Sequence, residues 1–162
     1  MTLQPLLSWL ENTGVGTAVR ESAVLFPWFE SVHVLAIAVV VGTIAVVDLR
    51  LLNLTFRERP VSELMSQVLP FTRWAFVVAA ITGIAMFAAQ ATSYMDKTPF
   101  VVKLLLLFIA GVNIAGFHFI TARDMHTWDV GPTLPARVKF AGATSLALWV
   151  VIVTCGRWIG FV

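Results

Sequence analysis

Four apolar stretches, each long enough to cross a bilayer, constrain this chain more than any other feature. They run from about Phe26 to Leu49, Phe71 to Ala89, Phe100 to Ile120 and Ala136 to Trp158. A helix needs roughly 20 apolar residues to span the hydrocarbon core, and it satisfies its own backbone groups there. None of the four alternates strictly, as the strand of an outer-membrane barrel would. Pro27, Pro70, Pro99 and Pro135 stand at or just before the starts, where a missing N–H has no intrahelical partner to lose. The expected fold class is all-α: a four-transmembrane-helix up-down bundle over residues 26–162, preceded by an outer-surface amphipathic segment over residues 1–25.

Composition agrees. With 59% apolar and only 12% charged residues, the chain is far from the balance of soluble domains. A soluble globular enzyme and a disordered chain are excluded. A formal charge of +2, scattered along the chain, is too weak to hold a phosphate backbone, so nucleic acid is excluded as a partner. The single cysteine, Cys155, precludes a disulfide framework.

Basic residues set the expected direction. Arg50, Arg57, Arg59, Arg73, Arg123, Arg137 and Lys139 fall on one side, and Arg20, Lys97, Lys103 and Arg157 on the other, seven against four. By the positive-inside rule both termini are expected to be periplasmic, in a multi-pass protein of the bacterial inner membrane. The first 25 residues lack the basic start and apolar core of a signal peptide. Pro5 to Glu11 reads as a short amphipathic helix on the outer surface, interrupted by Thr13, Gly14, Val15 and Gly16.

Close approach of helices in lipid relies on small residues, and Ala79, Gly83, Gly111, Gly116, Ala141 and Ser145 are the candidates. Polar residues inside spans must find partners. On span one, Glu30, His33 and Asp48 share a stripe with Ile37, Val41 and Ile44, whereas Arg50 points away. On span two Thr82, Met86 and Gln90 stack, and on span four Arg137, Thr144 and Cys155 share a face.

Taking Arg50, Arg73, Arg123 and Arg137 as markers of one surface, a rise of ~1.5 Å per residue gives depths. Glu30, His33, Met86, Gln90 and Cys155 form an expected outer cluster, and Asp48, Arg73, Asn113, His118 and Arg123 an inner one. An ion pair of Asp48 with Arg73 or Arg123 is the expected lock between helices. His33 and His118 differ in depth by roughly 18 Å, so they cannot be the two axial ligands of one haem in one chain. A haem b on His33 would need Met86 opposite it, a ligand pair that raises the reduction potential. His33, Met86 and Cys155 are also the soft ligand types that select copper. The opposing readings are a structural His33, an interfacial His118, a solvated His126 beside Asp124 and Asp129, and a Cys155 that simply packs. No constellation for hydrolase, kinase or other transferase chemistry is present.

Three strings, residues 25–52, 82–118 and 145–161, are similar to an uncharacterised family of small four-helix bacterial inner-membrane proteins. More remotely, SVHVLAIAVVVG with His33 and KLLLLFIAGVN with Lys103 and Asn113 resemble the copper-resistance D proteins. That resemblance implies copper handling, with b-type cytochromes among the wider fold relatives. The chain departs from it in having four spans and five methionines.

The functional expectation is a membrane metal or redox-cofactor protein, holding haem b or copper in its outer half and centred on His33, with Glu30 orienting the imidazole. Two other readings stand beside it. One is a cofactor-free accessory subunit that packs against a larger membrane complex. The other is a homo-oligomeric proton or solute transporter, with Glu30, His33 and Asp48 as a relay.

Overall fold

In the computed structural model, which describes residues 3–129 and 133–162, two short helices lead into the first span. They are α1 (Gln4–Glu11) and α2 (Gly14–Glu21). The spans follow as α3 (Leu25–Leu51) and α4 (Val61–Ala89), and the one-turn helix α5 (Ala91–Met95) comes next. Then come α6 (Thr98–Gly116), α7 (Met125–Trp128) and α8 (Ala136–Trp158). Four helical segments are long and apolar enough to cross a membrane, and the chain is a multi-pass all-α membrane protein.

Two boundaries depart from expectation, each for a physical reason. The second span begins at Val61 and carries Pro70 inside it rather than at its start; a proline within a membrane helix is tolerated because neighbours re-satisfy the freed carbonyl. The third passes beyond Ile120 to Trp128, because a π-turn over Phe117–Thr121 and a 3-10 turn over Ala122–Asp124 carry the helical path onward.

The first short helix ends at Glu11, as expected, and the T-G-V-G string then starts a second one. Thr13 caps α2, its Oγ1 accepting from the Gly16 N–H at 3.2 Å, and so satisfies a donor left over at the helix start. Gly16 is where α2 meets α4: a Cβ there would lie 2.7 Å from the Ala88 carbonyl oxygen and 2.8 Å from that of Glu11. Glu11 in turn accepts from the Thr92 N–H at 2.8 Å. The amphipathic segment is thereby fastened to the bundle, while Leu6, Trp9 and Val15 remain exposed, as for a helix lying in an interface.

The turn from α4 to α6 is held by rings. Phe87 stacks on Phe100 with centroids 5.3 Å apart, and Tyr94 lies 5.2 Å from Phe100. Burial raises the Tyr94 pKa, and the nearby Glu30 carboxylate adds to the rise. Its neutral form is favoured in the folded state, so its stabilising contribution is complete below the ordinary tyrosine pKa. That contribution is lost as pH rises through the folded value. Tyr94 is the sole tyrosine, so tyrosinate absorbance reports it alone. Its midpoint is expected above the ordinary value of about 10 and should return there on unfolding. A midpoint at the ordinary value in the folded protein would contradict this packing.

Helices α3 and α4 pack along their lengths, as do α6 and α8, and α3 joins the two pairs through α8. Helices α4 and α6 do not pack in this way, which leaves a lateral gap on one side of the bundle. Two apolar clusters lie inside. Val40, Ala110, Trp149 and Ile152 form one at mid-bundle, and Val47, Leu51, Val61, Trp128, Leu134 and Val138 form the other toward the Arg-rich end.

Small residues act at some of the expected places. Ala79, Ala141 and Ser145 are buried. Gly83 gives room to His33, since a Cβ there would be 3.1 Å from the imidazole Cε1. Gly111 and Gly116 face open space and pack against nothing. Among the described glycines of the spans the tightest approach is at Gly142, which was not among the expected residues. A Cβ there would be 2.9 Å from the Leu51 Cβ and 3.1 Å from the Asp48 carbonyl oxygen.

An intramembrane cavity and a separate histidine

A cavity of about 310 Å³ fills the space between the two apolar clusters and behind the gap between α4 and α6. Its walls are chiefly apolar, with Ile44, Leu69, Phe76, Ile114, Phe117 and Trp149 among them. Six polar residues also reach it: Asp48, Thr72, Arg73, Asn113, His118 and Ser145. Mostly apolar walls with a few convergent polar groups, at this volume, are what a small-molecule site requires.

Four of the five residues expected in the inner cluster, Asp48, Arg73, Asn113 and His118, therefore line one space. Arg123 lies past the π-turn, exposed and outside the lining. That π-turn carries His118, and such bulges re-aim side chains where a regular helix would not. Asn113 donates from Nδ2 to the Ala141 carbonyl at 3.2 Å, joining α6 to α8. Thr72 Oγ1 lies 2.9 Å from Thr43 Oγ1, joining α4 to α3.

The expected lock between Asp48 and an arginine is not formed. Among the described residues the one ion pair joins Arg137 to Asp124, at 3.0 Å between exposed groups. Asp48 is only 4% exposed; its polar neighbour is Ser145 of α8, and its Oδ2 is buried without a hydrogen-bond partner. The Thr43–Thr72 contact explains the failure. It sets Arg73 level with Gly42, six positions from Asp48, or roughly 9 Å along the helix. Arg73 thus stands within the length of the span rather than at its end, exposed on the flank of α4 and at the edge of the cavity.

Arg50 corrects a second expectation. Taken as a marker of the surface, it is instead 0% exposed and, among the described residues, the largest fully buried side chain. Its Nε donates to the Arg59 carbonyl at 2.9 Å and its Nη1 to Asn53 Oδ1 at 3.4 Å. Nearby, Asp129 accepts from the Ser62 N–H at 2.8 Å and from the Ser62 hydroxyl. A carboxylate at the first turn of α4 offsets its positive dipole end. His126 is exposed, as expected.

The expected outer cluster does not assemble. His33 Nδ1 lies 2.9 Å from the Ala79 carbonyl oxygen and 3.0 Å from Thr82 Oγ1. His33 therefore sits at the level of Ala79 to Gly83, about two turns away from Gln90 along α4. The same error in the Arg73 depth accounts for this shift. Met86 lies a turn beyond Thr82 and is not brought opposite the imidazole. Glu30 and Gln90 are exposed, and Gln90 lines an open polar groove with Glu11, Arg20, Asp96 and Lys97. Cys155 is half-buried beside Lys103 of α6. Among the described residues no three His, Cys, Asp or Glu side chains gather closely enough to hold a metal ion.

The His33 geometry is nonetheless specific. A carbonyl oxygen only accepts, so Nδ1 carries the proton toward Ala79 and Nε2 keeps its lone pair. Metal-bound histidines are oriented by the same kind of backbone bond. Among the described residues no hydrogen-bond chain connects His33 to Asp48; the imidazole bonds run to α4.

A family model covers residues 6–162, nearly the whole chain. The chain belongs to DUF6644, a family of unknown function. No curated protein and no solved structure matches it. The remote resemblance to the copper-resistance D proteins and b-type cytochromes finds no support in these comparisons. The cavity and the histidine therefore carry the functional argument by themselves.

Proposed function

We propose that this DUF6644 protein binds a small amphipathic molecule within the bilayer, admitting it sideways through the gap between α4 and α6. The observation that carries this reading is the 310 Å³ cavity, where apolar walls surround Asp48, Asn113, His118 and Arg73. Of the six polar residues that reach it, Asp48, Thr72 and Ser145 are buried, whereas Arg73 and His118 are exposed at its edge; polar groups at membrane depth are unfavourable unless a ligand, water or a neighbour satisfies them. With the Arg-rich end toward the cytoplasm of a bacterial inner membrane, the cavity opens to the inner half of the bilayer.

Ile114 stands at the rim, 52% exposed, and lines the cavity. Ile114→Trp is expected to fill the mouth without disturbing the buried contacts. The test is an organic extract of the protein purified in nanodiscs, analysed by mass spectrometry. The wild type should retain a discrete lipophilic compound that the variant lacks. Identical extracts from both would contradict the reading.

One observation favours a second reading, a haem or copper site on His33: the Nε2 lone pair is left free by the Nδ1 bond to Ala79. The charge of Lys103 acts on this histidine and weighs against a bare copper ion there. A reduced-minus-oxidised visible spectrum tests it. A sharp α-band lost in His33→Ala would support haem, and a featureless spectrum with no bound metal would end this reading.

A further inference from the structure

Two residues of the cavity wall each carry a buried polar atom without a hydrogen-bond partner, one an acceptor and one a donor, and together they specify a ligand. Asp48 and Trp149 both line it, at 4% and 3% exposure. Asp48 Oδ2, an acceptor, and Trp149 Nε1, a donor, are both buried without a hydrogen-bond partner. An orphaned buried group of either kind is destabilising, so two on one cavity wall call for a complement.

Their spacing is set by the helices. Ser145 is the neighbour of Asp48, and Trp149 stands one turn further along α8, roughly 6 Å higher. Arg73, also in the lining, stands at about the upper level. The upper wall thus offers a donor, Trp149 Nε1, with the exposed Arg73 at the same level, and the lower wall offers the Asp48 carboxyl. Phe76 and Phe117 supply aromatic surface in the same space, suited to a flat ring.

Resting on the cavity reading above, we infer that the ligand is a lipophilic ring oxygenated at two opposite positions, the quinol and quinone class. A hydroxyl at the lower end donates to Asp48, an oxygen at the upper end accepts from Trp149, and the tail leaves through the gap between α4 and α6. A simple ammonium would satisfy Asp48 and leave Trp149 orphaned, and a simple carboxylate would do the reverse. Two ordered waters would satisfy both atoms, and the experiment separates that case.

Binding of decyl-benzoquinol, decyl-benzoquinone and decylbenzene is measured anaerobically, with the full chain in nanodiscs. The quinol is expected to bind about tenfold or more tighter than decylbenzene, the ratio that one buried hydrogen bond supports. Trp149→Phe keeps the ring and is expected to weaken quinol and quinone by the same factor, about tenfold. Asp48→Asn, of the same shape, brings an N–H₂ donor and is expected to reverse the preference for quinol over quinone. A ratio, unlike an affinity, is insensitive to partial loss of folded protein. Decylbenzene matching the quinol, or an unchanged ratio in Asp48→Asn, would overturn the inference while leaving the cavity reading in place. If none of the three binds, or if Ile114→Trp binds them all as well as the wild type, the cavity reading falls too.

Discussion

Arg50→Ala should be among the most destabilising single substitutions in this protein, by roughly 3 kcal/mol in reversible unfolding from mixed micelles. Two contributions add. The guanidinium donates to the Arg59 carbonyl and to Asn53 Oδ1, so its removal takes away two hydrogen bonds that hold the loop between α3 and α4. The side chain is also wholly buried, and its loss opens a cavity beside the apolar cluster of Leu51, Val61 and Trp128. Asn53, which shares this contact, has a φ of 60°, a left-handed backbone that asparagine adopts more readily than most residues. Arg50→Lys keeps the charge and loses the planar fork, so it should recover less than half of the difference. Equal stability of Arg50→Ala and the wild type would show that this end of the bundle is not organised around the guanidinium.

Gly142→Leu is the second large effect, expected at about 3 kcal/mol, with Gly142→Ala near the lower end of the 1–3 kcal/mol range for overpacking. A Cβ at this position meets the Leu51 Cβ at 2.9 Å and the Asp48 carbonyl oxygen at 3.1 Å. Neither is the far end of a flexible chain, so α8 must move away from α3. That movement separates Ser145 from Asp48 and alters the cavity from behind. The series Gly, Ala, Leu should therefore lose stability and ligand retention together. Retained ligand in a destabilised Gly142→Leu would place the binding surface elsewhere.

The spans were legible in the sequence because hydropathy and length decide them directly: the fourth runs from Ala136 to Trp158, as expected. Pro70 misled because a membrane helix also tolerates a proline in its interior, where neighbouring groups re-satisfy the freed carbonyl, so a proline does not by itself mark a start. The inner cluster was legible in part. Asp48, Asn113 and His118 are each unusual in hydrocarbon, and depth along a helix is nearly a fixed rise per residue. The same arithmetic failed for Arg73, since a long cationic side chain is as compatible with a cavity wall as with a surface. His33 was then matched to the wrong turn of α4, and the outer cluster dissolved.

Met86 shares the face of α4 that meets His33 but lies one turn beyond the level at which the imidazole bonds Thr82. Arg50 was misjudged for a different reason, because the loop that buries it carries no apolar signature. Gly142 could have been found: Ala141, Gly142 and Ser145 form a small-residue patch one turn long. Nothing in the pattern says which of the three touches the neighbouring helix.

The most direct test of the central claim is photo-crosslinking in intact membranes, with a photoactivatable phenylalanine analogue at Phe117 or at Phe108. Phe117 lines the cavity, and Phe108 is 70% exposed on the outer surface of α6. If the cavity is a binding site, the analogue at Phe117 will capture a discrete small lipophilic molecule, and the one at Phe108 only bulk phospholipid. The same phospholipid adducts at both positions would contradict it.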